Sequence, residues 1–298
     1  MEIHQLRYFC AVAETGSFTR AAEREQVAQP SLSQQIIKLE EELGVRLFDR
    51  LGRTVKLTDP GQLFLPRARA ILNELKAAKE EVTDKLGSAT GPVNVGVIPT
   101  IAPYFLPARI STFCRKYPQA SLTVFEDVTA RLLDRLRGGV VDVAIMALPT
   151  RGHDLDCFPL LTERLFAILP KNHALARKPS VSLKELRNDS FLLLRDDHCF
   201  RDTAIEMCKR ARLLPRVVFE SGQFSSILAM VGAGLGISIV PEMALERRPD
   251  CHFALVADEK ASRTIGVAVL KGHFLTGVQR AFLMHLRSQV QARAAARA

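Results

Sequence analysis

TGSFTRAAEREQVAQPSLSQQIIKLEEELG, residues 15–44, holds two short helical patterns on either side of a tight turn. Gly16 and Ser17 break the chain, and the Ser17 hydroxyl suits the N-cap of a helix running through FTRAAEREQ. Phe18, Ala21 and Ala22 would face inward from it. Val27, Ala28 and Gln29 form the turn, and Pro30 fits the first turn of a third helix, PSLSQQIIKLEEELG. Leu32, Ile36, Leu39 and Leu43 give that helix one apolar stripe, and Gly44 ends it. Two short helices about a tight turn, with small alanines where they meet, make the pattern of a helix-turn-helix. Upstream, Ile3, Leu6, Phe9, Cys10, Val12 and Ala13 mark the inner face of a first helix. Downstream, VRLFDRLGRTVKLT reads as a two-stranded wing turning at Leu51–Gly52.

The outer face of the third helix carries Gln29, Ser31, Ser33, Gln34, Gln35 and Lys38 beside Pro30. These are hydrogen-bonding side chains suited to base edges and phosphates. Arg46, Arg50, Arg53 and Lys56, opposed by Asp49 alone, make a basic wing for a phosphate backbone. A single amphipathic helix would ordinarily present a solvated polar face. The combination with a turn, a second helix and a basic wing favours double-stranded DNA.

Thr58, Asp59 and Pro60 supply a cap and a proline at a helix start. From there Phe64, Ala68, Ile71, Leu75, Ala78 and Val82 step by alternating fours and threes, a heptad seam. Such a seam fits a dimerising linker helix, because helix-turn-helix proteins read two half-sites as dimers. A helix packed on its own domain would use the same stripe.

Net charge is a poor guide. The chain carries +9, yet residues 1–86 hold 13 basic and 13 acidic side chains, so the excess lies beyond the DNA-binding segment. With 47% hydrophobic and 24% charged residues and no apolar run of membrane-spanning length, the composition is that of a cytoplasmic globular protein. The opening MEIHQLRYFC lacks the features of a signal peptide. Six cysteines are scattered without C-x-x-C or Cys/His metal spacing, so neither a metal nor another cofactor is expected.

After GSATGP (87–92), candidate strands at 93–98, 120–126, 141–146, 164–170, 190–194, 216–221, 236–240 and 263–270 alternate with helices at 102–116, 129–137, 201–212, 224–232 and 276–293. Alternation of this kind predicts an α/β fold with largely parallel strands, here as two subdomains with a ligand cleft. Three segments result: a winged helix-turn-helix over 1–57, a linker and dimerisation helix with hinge over 58–91, and a regulatory domain over 92–298.

One stretch resists this simple reading. RDDHCFRDTAIEMCKRA (195–211) places Cys199 and Cys208 nine positions apart in a good helical pattern. Such a helix would hold them roughly 13 Å apart along its axis, whereas a disulfide needs alpha carbons within about 7 Å. They are either two unrelated thiols or a pair that bonds only if the segment refolds.

Over its full length the chain resembles the LysR-type transcriptional regulators. The residues that carry the resemblance are LRYFCAVAETGSFTRAAEREQVAQPSLSQQIIKLEEELGVRLFDRLGRTVKLTDPG, then GPVNVGVIPTIAPYFLP, GGVVDVAIM and MVGAGLGISIVP. The resemblance implies a winged helix-turn-helix, a linker helix that pairs protomers, and a two-subdomain effector domain resembling periplasmic binding proteins. It also implies promoter DNA and RNA polymerase as partners, and a homotetramer built as a dimer of dimers. DDHCFRDTAIEMC, EDVTARLLDRL and SRTIGVAVL resemble the family's peroxide-sensing branch. On that resemblance Cys199 is the peroxidatic and Cys208 the resolving cysteine. Thr100, Thr129 and His198 shape the peroxide pocket, Arg263 favours the thiolate, and a thiol reductant system reverses the oxidation. Cys114, Cys157 and Cys251 have no assigned role.

The local sequence is consistent with activation of Cys199. It would sit at a helix N-terminus, where the dipole favours an anion, with His198 and Arg201 as further sources of positive charge. The competing readings are a regulator of the same type that binds a small metabolite, with incidental cysteines, and a thiol peroxidase.

Overall fold

A computed structural model describes the chain except for residues 52–53, 84–89, 151, 247, 259 and 296–298. Arg53 of the expected basic wing therefore lies outside the described residues. The chain divides into two compact units, one comprising Met1–Ser88, Asp134–Val141 and Gly272–Gly277, and the other the remainder.

The first unit begins with helices α1 (Ile3–Thr15), α2 (Phe18–Glu25) and α3 (Gln29–Leu43). The expected caps form: the Ser17 hydroxyl accepts from the Arg20 amide, and Gly44 takes a left-handed φ of 69° that ends α3. Phe9, Val12, Ala21, Leu32, Ile36 and Leu39 are fully buried in one core. Ile3, the first residue of α1, is not part of that inner face and is 48% exposed, whereas Leu6 in the same turn is buried. Strands β1 (Phe48–Leu51) and β2 (Thr54–Leu57) pair antiparallel as the wing. The Glu40 carboxylate accepts from the Leu47 and Phe48 amides at 2.7 and 3.1 Å, tying α3 to the wing.

Helix α4 (Asp59–Thr83) starts under a Thr58 cap, whose hydroxyl accepts from the Gly61 amide at 3.1 Å and donates to the Arg46 carbonyl at 2.6 Å. Gly61 is required there: a β-carbon at this position would lie 2.1 Å from the Leu47 carbonyl oxygen. The expected dimerisation seam is corrected at its N-terminal end. Phe64 packs on Phe9 with ring centroids 5.2 Å apart, and Ala68 is fully buried in the same core, so both serve their own unit. Ile71 is 42% exposed, Leu75 is half-buried and Ala78 is exposed, whereas the Val82 side chain lies outside the described set.

The second unit is built on strands β3 (Gly91–Val97), β4 (Ala120–Glu126), β5 (Val143–Leu148), β6 (Leu155–Pro170), β7 (Ser180–Val181), β8 (Ser190–Leu194), β9 (Arg216–Ser221), β10 (Ser238–Pro241), β11 (Cys251–Val256) and β12 (Ser262–Leu270). The helices among them are α5 (Ala102–Lys116), α6 (Thr129–Arg137), α7 (Cys199–Arg210), α8 (Phe224–Gly232) and α9 (Gly277–Ala295).

The sheet order is β4-β3-β5-β12-β6-β11-β7, with β10 also on β6, and β8 pairs separately with β9. Parallel pairs occur where a helix supplies the crossover, as β3 with β4 and β5, and β8 with β9. The expectation of a largely parallel sheet is corrected at the centre. β12 runs antiparallel to β5 and β6, and β6 runs antiparallel to β10 and β11. The 16-residue β6 serves two sheets, pairing with β12 through Arg164 and with β10 and β11 from Leu165 onward. α7 rests on β8, burying Phe200, Ala204, Met207 and Cys208 against Phe191, Leu192 and Leu194.

Candidate functional site

Strand β8 delivers the chain to the α7 N-terminus, where His198 is the N-cap residue and Cys199 the first helical residue. Both thiols of interest lie on this unbroken helix and are unbonded. Around Cys199 the fold brings together residues far apart in sequence. Thr129, at the start of α6, lies beside the thiol and favours its thiolate, and its buried hydroxyl oxygen has no hydrogen-bond partner among the described residues. Arg263, on β12, acts on it as a positive charge. Thr100 is 3% exposed beyond the end of β3. It is held by Arg263, whose Nη1 donates to its Oγ1 and whose Nη2 donates to its carbonyl oxygen, both at 3.0 Å. His198 is 5% exposed, its Nε2 3.6 Å from Asp197 Oδ1.

The electrostatics revise the expected activation. Burial pushes the Cys199 thiol above its ordinary value; the Thr129 hydroxyl, Arg263 and the helix-terminal backbone pull it down, and Asp202 opposes them. Burial also holds His198 below the usual histidine range, which favours a neutral ring. Arg201 is committed elsewhere: its guanidinium meets Asp196 at 2.6 Å, Glu220 at 2.7 Å and the Leu194 carbonyl at 2.9 Å. The cation acting on Cys199 is thus Arg263. Burial favours the thiol form of Cys199, beside groups positioned to stabilise its anion.

Glu163 is the site residue that sequence reasoning missed. It is 5% exposed, accepts from Arg263 Nε at 2.6 Å and receives the Met243 amide at 2.8 Å. A charged residue inside LLTERLF, within a strand-like run, was the available signal. Its partner lies 100 residues away.

Cys208 is 1% exposed in the core under α7, and burial pushes its thiol up to about 11. Cys10 is buried, Cys114 and Cys157 are exposed, and Cys251 is half-buried with its thiol 3.6 Å from the Leu228 carbonyl. Among the described residues, no group of three His, Cys, Asp or Glu side chains could hold a metal ion, and no helix is long and apolar enough to cross a membrane.

The candidate nucleic-acid face lies on α3. Gln29, Pro30, Ser31, Gln34 and Lys38 are exposed, while Ser33 and Gln35 are half-buried. The Gln35 side-chain oxygen accepts from Gln5 Nε2 at 3.1 Å, which ties it to α1. In the wing Arg46 and Lys56 are exposed, and Arg50 is placed by its backbone pairing with Val55, its side chain lying outside the described set.

Comparison with known proteins matches two family models to the chain. Residues 3–62 match the bacterial regulatory helix-turn-helix protein, lysR family, and residues 86–291 match the LysR substrate binding domain. The DNA-binding transcriptional dual regulator OxyR of Escherichia coli K12 is 35% identical over 276 residues, 91% of this chain and 90% of that one. The transcriptional dual regulator GltC of Bacillus subtilis is likewise 35% identical over 270 residues, 90% of each chain. Among solved structures, a cysteine-to-aspartate variant of full-length OxyR from Pseudomonas aeruginosa is 33% identical, with a TM-score of 0.82 over 98% of this chain and 95% of that one. Helix-turn-helix, wing and substrate-binding fold agree with these matches, and the chain belongs to the LysR family of DNA-binding transcriptional regulators, within which it is similar to OxyR.

Proposed function

We propose that this regulator senses hydrogen peroxide through reversible oxidation of Cys199 and Cys208. The observation that carries the reading is the assembly of Thr129, Arg263 and a helix N-terminus on Cys199, with a second thiol on the same helix. The identity to GltC equals that to OxyR, so the reading rests on these residues rather than on the degree of similarity.

In the proposed reaction the Cys199 thiolate attacks one peroxide oxygen and the O–O bond breaks. The departing oxygen takes a proton and leaves as water, and Cys199 becomes a sulfenic acid. The Cys208 sulfur then displaces the sulfenic oxygen as a second water, closing the disulfide. Peroxide gains two electrons and the two thiols lose them; a thiol reductant returns them. Thr100 and Thr129 hydroxyls and the Arg263 donors are the groups suited to hold peroxide oxygens and the developing negative charge.

Disulfide closure is incompatible with the resting helix. Nine residues of rise separate the sulfurs by about 13 Å along the axis, so α7 must unwind and Cys208 must leave the core. That remodelling is the proposed signal to a homotetramer on promoter DNA acting with RNA polymerase, in a cytoplasmic setting. Exposed Gln29, Pro30, Ser31, Gln34 and Lys38, with Ser33, Gln35, Arg50 and Arg53, form the proposed DNA contact. The remaining seam of α4, from Ile71 through Leu75, Ala78 and Val82, is the proposed site of protomer pairing.

Titrating promoter binding with peroxide in wild type and Cys199→Ser tests the reading. Wild type responds at stoichiometric peroxide and the variant does not; a full response by Cys199→Ser contradicts the proposal and favours a metabolite effector.

A further inference from the structure

Arg263 is the cation of the thiol site, yet it is not a lone charge. Its three donor nitrogens are all engaged: Nε with Glu163 Oε1, Nη1 with the Thr100 hydroxyl, and Nη2 with the Thr100 carbonyl. Its guanidinium carbon lies 5.2 Å from the ring centroid of Phe200, the residue that follows Cys199. Glu163 and Arg263 face each other as register partners on β6 and β12. The second Glu163 oxygen is occupied by the Met243 amide in the turn after β10. The carboxylate is therefore fixed from two sides, at 5% exposure, against a guanidinium at 4% exposure.

A buried ion pair this close has two consequences for a third group nearby. The carboxylate fixes where the guanidinium stands. It also cancels part of the guanidinium's field, because in a low-dielectric interior an opposite charge a few ångströms away is felt strongly. We propose that Glu163 is a positioning and damping residue for the sensor, holding Arg263 on Thr100 and limiting the attraction that Arg263 exerts on the Cys199 sulfur. The arrangement sets how much peroxide is needed before the thiol reacts. This inference rests on Cys199 being the reactive thiol, and it assigns Glu163 no contact with peroxide.

The charged and titratable groups facing Cys199 are Arg263 from β12 and Asp202 from its own helix, with the Thr129 hydroxyl from α6. The neighbouring His198 faces Asp197, Arg195 and Glu126. A change at Glu163 that keeps an acceptor for Arg263 leaves Asp202, Thr129 and the groups around His198 untouched and alters the net charge of the Arg263 pair.

The test is the pH dependence of Cys199 alkylation in the full-length reduced protein, read on the Cys199 peptide by mass spectrometry, without peroxide. Failure here is thereby separated from failure of the sensing reaction itself. Glu163→Gln removes the negative charge while keeping an acceptor for Arg263, so the alkylation midpoint falls by roughly one pH unit. Glu163→Asp keeps the charge and stays near the wild-type midpoint. Should Glu163→Gln fail to fold, the neutral pair Glu163→Met with Arg263→Met supplies the opposite arm, since buried pairs are often replaceable by apolar side chains. Its midpoint lies above wild type because the nearer, positive member is lost. A Glu163→Gln midpoint at or above wild type overturns the proposal. So does a Glu163→Asp midpoint equal to that of Glu163→Gln, or a double-variant midpoint at or below wild type.

Discussion

Cys199 and Cys208 share one uninterrupted helix: the first opens α7 beside Thr129 and Arg263, and the second is buried 1% exposed in the core beneath it. The helix that presents Cys199 to its activating groups is the same element that keeps Cys208 away. The proposed oxidation of the pair works against the packing of that helix.

On the proposed oxidation, this packing contributes to the redox potential of the pair. Met207 and Phe200, 2% and 3% exposed, are each worth about 2 kcal/mol of apolar burial that unwinding would forfeit. Stabilising the reduced form makes the disulfide more oxidising, by 30 mV for each 1.4 kcal/mol. Met207→Ala should therefore lower the potential by roughly 40 mV, as measured by equilibration in glutathione buffers. An unchanged potential would mean that Met207 stays packed after oxidation.

The Cys199 thiol is raised by burial above its ordinary 9.0, so its thiolate is a minor form at neutral pH. Its rate of alkylation, and of reaction with peroxide, should rise tenfold per pH unit and still be climbing at pH 9. Thr129→Val removes a buried hydroxyl beside Cys199 that favours the thiolate and should slow both reactions several-fold at pH 8. A plateau below pH 8 in the wild type would contradict the electrostatics described here.

On the DNA face, two adjacent glutamines should behave differently. Gln34 is exposed, and Gln34→Ala should relax sequence preference in a binding-site selection. Gln35 is tied to Gln5, so Gln35→Ala should also lower the stability of the N-terminal unit, by about 1 kcal/mol. Arg50→Ala should weaken binding to all sequences and reduce the salt slope by about one.

Gly61→Ala tests the junction between the wing and α4. The added carbon meets the Leu47 carbonyl oxygen at 2.1 Å, a backbone atom that cannot swing aside. Denaturant unfolding should show a loss of about 2 kcal/mol.

Much of this was legible in the sequence because the signals were local. Ser17, Gly44 and Thr58 cap their helices as read, and β4, β8 and β9 have the expected bounds. What failed depended on distant partners. The first half of β6 was missed because Pro159 interrupts its pattern; in the structure Pro159 stands opposite Gly266, at a register shift in the β12 pairing. Alternation of strands and helices does not reveal direction, so the antiparallel β12 was unreadable. A heptad stripe does not name its partner, and Phe64 and Ala68 turned out to face their own core. Glu163 looked like any charged residue until β12 placed Arg263 against it.

The most direct test of the central claim is amide hydrogen exchange across residues 199–208, before and after stoichiometric peroxide, with the disulfide verified on the same sample. The account predicts that α7 is protected in the reduced protein and loses that protection once Cys199 and Cys208 are linked. A Cys199–Cys208 disulfide accompanied by undiminished protection of α7 would contradict it.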